Sequence, residues 1–399
     1  MTSASQDNSA SAAESATDDR MSDYRMINAT GELVAFCDRA AAKGYVIVDT
    51  EFVRTRTYYA QLGLVQASCA GEAVLIDPLN GVDLQPLWQL LSSGVEVILH
   101  AGGEDLELFH RYDALPKKLF DSQVAHAFLT DGSQIGYAGL VEKMLGIAVD
   151  KSQSRTDWLQ RPLSKAQLDY AAADVIYLER LQVELKEQVE QLPFADLVWQ
   201  ECREQVQKRA RDVAPQVAWR DIGGVSLLPG TGRAILRELA AWRLQTARTN
   251  DVALPFILRD PVMVEIARTR PQNRHQLGQI ADIHPRSLRL YGDAVLSCVA
   301  AGEAVPASEQ PEDIPRYDQL PGYKRFFKAA KALFADVAEE TGIPVSLLGS
   351  RKQINDVFVY AHFTSEASKS LIAKPDLCSG WRADLLVDGL QALLAESKR

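Results

Sequence analysis

Five residues in three short stretches could together hold metal ions and cut a phosphodiester. They are Asp49 and Glu51 in Asp49-Thr50-Glu51, Asp105 after a Gly102-Gly103 pair, and Tyr170 with Asp174 four positions on. Residues two apart in a strand point to the same face, so Asp49 and Glu51 project together. Two carboxylates side by side at the end of a buried strand are unfavourable without a cation. Residues four apart in a helix lie one turn apart on one face, which pairs Tyr170 with Asp174. Each stretch also has an ordinary reading: solvated acids on an edge strand, an Asp capping a helix, a core tyrosine beside a surface Asp.

The elements that must carry these residues follow from the apolar pattern. Tyr45–Phe52 reads as a buried strand after Gly44, and 61–68 and 73–77 follow at hairpin spacing. Residues 84–91 read as a helix and 95–100 as another strand, which runs into the Gly-Gly turn and a helix over 106–111. Helical patterns then dominate to Gln191. Hairpin strands followed by strand–helix alternation imply a mixed sheet with helices packed on it. Beyond residue 214 no strand run appears. Ile235, Leu239 and Trp242 share one helical face, and Tyr323, Phe326, Phe327, Ala330, Leu333, Phe334 and Val337 form a stripe at helical spacing. Pro306, Pro311, Pro315 and Pro321 mark a linker between these two regions. Residues 1–24, rich in Ser, Ala, Asp and Thr, read as a disordered tail.

The chain has 399 residues, 47% hydrophobic and 24% charged, which is ordinary for a soluble globular protein. A net charge of −10 by itself argues against a nucleic-acid partner. The charge is unevenly spread, however: residues 220–300 hold eleven arginines against seven acids, whereas the first 24 residues are strongly acidic. A carboxylate cluster also makes a protein look acidic when its bound cations are left out of the count. The five cysteines, Cys37, Cys69, Cys202, Cys298 and Cys378, form no C-x-x-C pair. That argues against a zinc site or a disulfide framework and fits a reducing cytoplasm. No apolar run is long enough to span a membrane, and the N-terminus lacks the basic-then-apolar order of a signal peptide. No feature points to a protein partner.

The order and spacing of the three acidic stretches resemble the DEDD exonuclease superfamily, in its tyrosine branch, since position 169 is Asp rather than His and position 170 is Tyr. DTEF at 49–52, QLGLVQ at 61–66, HAGGEDLELF at 100–109, FDSQ at 120–123 and DW-xx-RPLS at 157–164 are similar to the ribonuclease D family. LPFILRD at 254–260 and GWRADLL at 380–386 resemble that family's helical HRDC domains. The resemblance implies an α/β ribonuclease H-like exonuclease domain, a mixed sheet flanked by helices, over 25–215. Two all-α HRDC-like domains would follow at 228–303 and 317–399, with a linker at 304–316. It implies a 3′→5′ exoribonuclease that releases nucleoside 5′-monophosphates with two divalent ions, Mg²⁺ or Mn²⁺, suited by hard oxygen ligands. Asp49, Glu51, Asp105 and Asp174 would be the metal ligands, with Asp49 bridging. Tyr170 would orient the attacking water. The RNA would be transfer-RNA precursors or other structured 3′ ends.

Substrate contacts are expected from Thr50, Phe52, His100, Lys151, Arg155 and Trp158, with packing as the alternative for Trp158 and solvated surface for the two cations. Arg268, Arg270, Arg274, Arg286 and Arg289 form the densest basic region and could track phosphates. Two rivals remain at this stage. A DNA exonuclease of the same superfamily would carry the same acids; a non-catalytic nucleic-acid scaffold would have no need of all five residues.

Overall fold

The computed structural model describes residues 23–314, 316 and 320–397. The tail expected over 1–24 thus falls almost wholly outside the described residues, and Tyr24 already belongs to a strand. Six strands form one sheet in the order β1-β4-β3-β2-β5-β6. They are β1 (Tyr24–Ile27), β2 (Tyr45–Val53), β3 (Gln61–Cys69), β4 (Glu72–Ile76), β5 (Glu96–Leu99) and β6 (Lys118–Asp121). β2-β3-β4 is an antiparallel meander, while β1, β5 and β6 pair in parallel, so the sheet is mixed as expected. The two outermost strands were not read from the sequence. Each is four residues long, and YRMI and KLFD carry no clear alternation.

Seven helices accompany the sheet: α1 (Thr30–Lys43), α2 (Gln85–Ser93), α3 (Gly103–Arg111), α4 (Ser122–Leu129), α5 (Tyr137–Leu145), α6 (Lys165–Glu190) and α7 (Ala195–Arg209). α6 matters most for the site. Ser164 starts it through a capping box: its hydroxyl accepts from the Gln167 N–H at 3.2 Å, and the Gln167 side chain accepts from the Ser164 N–H at 3.0 Å. Ala171, Ala172 and Ala173 are buried, and α6 packs on β2, β3 and β4. Their small side chains let the helix backbone come close to the strand that carries the acids.

The remainder is helical: α8 (Gly230–Asn250), α9 (Leu254–Ile257), α10 (Asp260–Thr269), α11 (Arg274–Gly278) and α12 (Pro285–Glu303), then α13 (Tyr323–Thr341), α14 (Val345–Leu348), α15 (Arg351–Phe363), α16 (Glu366–Lys369) and α17 (Gly380–Ser397). The first group has its own apolar core around Leu236, Leu239, Ile266 and Val295. The second does not stand apart. Phe326, Phe334, Trp381 and Leu386 belong to one continuous core with the sheet. Trp381 packs edge-on to Phe128 of α4, and its indole N–H donates to Glu201 of α7 at 2.8 Å. The described part of the linker is tied down as well: Arg233 pairs with Asp313, and Arg220 with Glu312.

Candidate active site

The site lies where β2 ends under α6. Asp49, Glu51 and Asp174 each offer a carboxylate oxygen, and these oxygens all lie within 4.8 Å of one another. None of the three makes an ion pair among the described residues, so three half-buried acids share one pocket without a countercharge. Burial, then the charges of Asp174 and Asp105, push the Glu51 carboxyl up to about 9. Burial and Asp105 raise Asp174 to about 8. Asp49 is held well above the ordinary carboxylate range by burial, then by Asp174, Asp105 and Glu51. A pocket of this kind fits hard divalent cations: the donors are all oxygens, and the ions would supply the missing positive charge.

Asp105 stands just outside the trio. Its carboxylate accepts from the Thr50 hydroxyl at 2.5 Å. Burial lifts it to about 6, the Thr50 bond opposing the rise. It is placed by the turn before α3. Ala101 has φ +55°, and a Cβ on Gly102 would meet Leu99 Cδ1 at 2.4 Å, so the chain turns here on a residue with no side chain. The turn is pinned from behind by Asp121, whose carboxylate accepts from the N–H groups of Ala101 at 3.1 Å, Gly102 at 3.0 Å and Gln123 at 2.8 Å. Asp121 lies in the FDSQ stretch, so the sequence contained it without revealing that it braces the turn to Asp105.

Tyr170 lies one turn before Asp174. Burial, then the charges of Asp174, Glu51 and Asp49, raise its phenol far above the ordinary range.

Two further residues shape the pocket: Tyr137, which lies in none of the stretches singled out in the sequence, and Gln66, which closes the QLGLVQ stretch. Tyr137 donates its hydroxyl to the Ala173 carbonyl at 2.7 Å, the residue before Asp174, and so sets the rotation of α6. Gln66 sits opposite Asp49 in the β2–β3 pair, and its fully buried amide has no hydrogen-bond partner at either atom. Directly paired residues face the same side of a sheet, which puts Gln66 beside Asp49 under α6.

The expected substrate contacts separate into groups. Thr50 is buried, and its hydroxyl donates to Asp105. Trp158 is 1% exposed, packed on the Gly63 backbone and 6.1 Å from the Tyr170 ring. It supports the site from beneath and offers no face to a base, which corrects the expectation. Arg161 holds that segment by donating to the Gly63 and Trp158 carbonyls at 2.6 and 2.8 Å and by pairing with Asp77. His100 is turned inward: its Nδ1 lies 2.9 Å from the Ser122 hydroxyl, its ring meets Tyr137 edge-on, and burial lowers its pKa. Phe52 follows the β-bulge after Glu51 and is half-buried against the core. Lys151 and Arg155 are exposed. In the basic helical region, Arg268 pairs with Glu265 and Arg274 with Asp293, each through two hydrogen bonds at the exposed surface.

Comparison with known proteins follows the same division of the chain. A 3′-5′ exonuclease family model matches residues 24–190, an HRDC domain model matches 232–299, and a model for the C-terminal HRDC domain of ribonuclease D matches 321–390. Ribonuclease D of Escherichia coli is 38% identical over 94% of this chain and 99% of its own length. That of Musicola paradisiaca is 39% identical over 93% and 99%. The crystal structure of the Escherichia coli enzyme, described as an exoribonuclease involved in structured RNA processing, superposes with a TM-score of 0.85 over 94% of this chain and 99% of that one.

Proposed function

The chain belongs to the ribonuclease D family and is a 3′→5′ exoribonuclease; from that premise we propose that Asp49, Glu51 and Asp174, joined by Asp105, hold a pair of divalent cations against the terminal phosphodiester of a structured RNA, with Tyr170 orienting the water. The observation that carries this reading is the trio of carboxylate oxygens within 4.8 Å of one another and without a countercharge. Bound there, two divalent ions stabilise both the attacking and the leaving oxygen of an in-line displacement.

The chain's own residues do the rest. Asp49 and Glu51 are fixed by strand alternation and Asp174 by α6, so the ligands sit on rigid elements and need little reorganisation. Asp105 can join them by releasing the Thr50 hydroxyl. Tyr170 would orient the attacking water through its hydroxyl, and the bound ions would lower the pKa of that water. Phe52 and the exposed Lys151 and Arg155 remain the expected contacts to the 3′ nucleotide. Transfer-RNA precursors are the substrate class this reading favours. It is supported by the relative described as acting in structured RNA processing and by the two helical units beyond the catalytic one. Five free cysteines fit a cytoplasmic setting, and no described helix is long and apolar enough to cross a membrane.

The test is hydrolysis of 3′-labelled against 5′-labelled RNA, side by side with matched DNA, in Mg²⁺, Mn²⁺ or chelator. The expected result is chelator-sensitive release of the 3′ label as a nucleoside 5′-monophosphate, with RNA preferred. Release from the 5′ end, or release that survives chelation, contradicts it.

A further inference from the structure

A cleft of about 360 Å³ lies between the exonuclease unit and the first helical unit, lined among others by Arg56, Phe256, Arg259, Asp282, His284 and Arg286. Arg56 stands on the loop that leaves β2, five residues beyond Glu51. At the reach of an extended chain, its Cα is therefore no more than about 18 Å from that of Glu51. The wall it forms is fixed to the opposite side. The Ala253 N–H donates to the Arg56 carbonyl at 2.9 Å, the Tyr59 N–H donates to Asp251 at 2.9 Å, and Arg248 donates to the Tyr58 hydroxyl at 3.3 Å. The cleft is thus a feature held across a junction, a common location for ligand sites.

Its chemistry is selective. Most arginines of this helical unit are already engaged: Arg233, Arg243, Arg248, Arg268 and Arg274 all pair with carboxylates. Arg56, Arg259 and Arg286 make no ion pair among the described residues, and Asp282 is the one acid among the lining residues. Beside them Phe256 is 51% exposed, though it is flanked by the buried Ile257 and Leu258. Unpaired guanidinium groups around an open aromatic face form a site for a phosphate joined to a flat, stackable ring. That is the chemistry of single-stranded nucleic acid, whose bases stack on aromatic side chains while cations follow the backbone.

We propose that this cleft holds a nucleotide of the single-stranded RNA upstream of the 3′ end, with its base on Phe256 and its phosphates on Arg56, Arg259 and Arg286. The proposal rests on the exonuclease reading, since it places the cleft along the strand that leads away from the carboxylates. It gives the first helical unit a defined part: it grips the strand a few nucleotides before the cut, so short products lose a handhold that long substrates keep.

The full-length protein and two variants, Phe256→Ala and Arg259→Ala/Arg286→Ala, test this. Binding of a labelled long single-stranded RNA is followed by anisotropy in chelator across a salt series. Hydrolysis of that RNA and of a dinucleotide is followed in Mg²⁺. Phe256→Ala is expected to weaken binding of the long RNA about five-fold or more. The double variant is expected to flatten the slope of log K against log salt by about 1.4, the change for two phosphate contacts on a single strand. KM for the long RNA rises, its kcat stays, and dinucleotide hydrolysis is unchanged. Unchanged binding and KM for the long RNA overturn the proposal. So does an equal loss on both substrates, which would place these residues in the fold and not on the strand. A wild-type protein that binds the long RNA but releases no mononucleotide would sink the exonuclease reading alone, because the binding series does not depend on hydrolysis.

Discussion

At the residue scale, the site is a group of acids arranged so that protons or metal ions must neutralise them. Replacing Asp49 or Asp174 with Asn removes a proposed ligand and a repelling charge together. Each variant should lose turnover by about 10³-fold or more, on the scale of removing a group that stabilises the transition state, while the metal-free Tm holds or rises. Near-wild-type hydrolysis by either purified variant contradicts the assignment. Tyr170→Phe keeps the ring packed against Trp158 but removes the hydroxyl; kcat should fall about 10²-fold, the scale of a misplaced reactant, with metal affinity unchanged. The pH dependence follows from the raised carboxyls. Glu51 at about 9 and Asp174 at about 8 lie above their ordinary 4.5 and 3.8. Across that window the metal-free folded protein holds protons that the unfolded chain has released, so stability falls as pH rises through it. Ions displace those protons, so Mg²⁺ should raise Tm more at about pH 8 than at about pH 5. A thermal melt series with and without chelator reads this directly, and a larger Mg²⁺ effect at the acid end would refute it.

At the element scale, much of the positioning was legible and some was not. β2 could be read because Val46, Ile47 and Val48 are fully buried and apolar, and the alternation that follows places Asp49 with Glu51. The Gly102-Gly103 turn also carries a local signal. β1 and β6 were missed because four-residue edge strands have too little alternation to distinguish from loop. Asp121, Tyr137 and Gln66 were missed as parts of the site because their roles arise from long-range packing, which no local spacing encodes. For Trp158 the sequence leaves base stacking and packing open, because an aromatic near cations looks the same whether it is exposed or buried; its 1% exposure decides for packing. Two variants test this layer. A Cβ on Gly63 would lie 2.6 Å from the Trp158 carbonyl oxygen, so Gly63→Ala should lower Tm and loosen the Trp158–Arg161 segment. Gln66→Leu removes a buried amide that has no partner and should stabilise the fold by about 1–3 kcal/mol, measured by denaturant unfolding. A loss of stability would show that the amide is satisfied in solution.

At the scale of the whole molecule, the sequence divides the helical half into two units, and the structure joins them to the catalytic one in different ways. The first has a core of its own and meets the exonuclease unit through the Arg56–Tyr59 loop. The last shares a core with the sheet and is fastened by Arg382, nearly buried, which pairs with Glu201. Side chains that meet across a boundary leave no periodicity, so this difference could not be read from the chain. Arg382→Ala leaves Glu201 in a largely dry contact and should destabilise the assembly by about 3–5 kcal/mol, seen as a lower Tm. A melt indistinguishable from wild type would show that the pair contributes little to docking.

The central claim is that Asp49, Glu51, Asp105 and Asp174 together bind two divalent ions at the cut. Counting Mn²⁺ bound per chain by electron paramagnetic resonance, with an uncleavable RNA end in place, tests it most directly. The wild type should take up about two ions with the spin coupling of a close pair, and Asp49→Asn should lose that coupled signal. A wild type that binds no more than one ion, or an Asp49→Asn protein that keeps the coupled pair, would contradict the account.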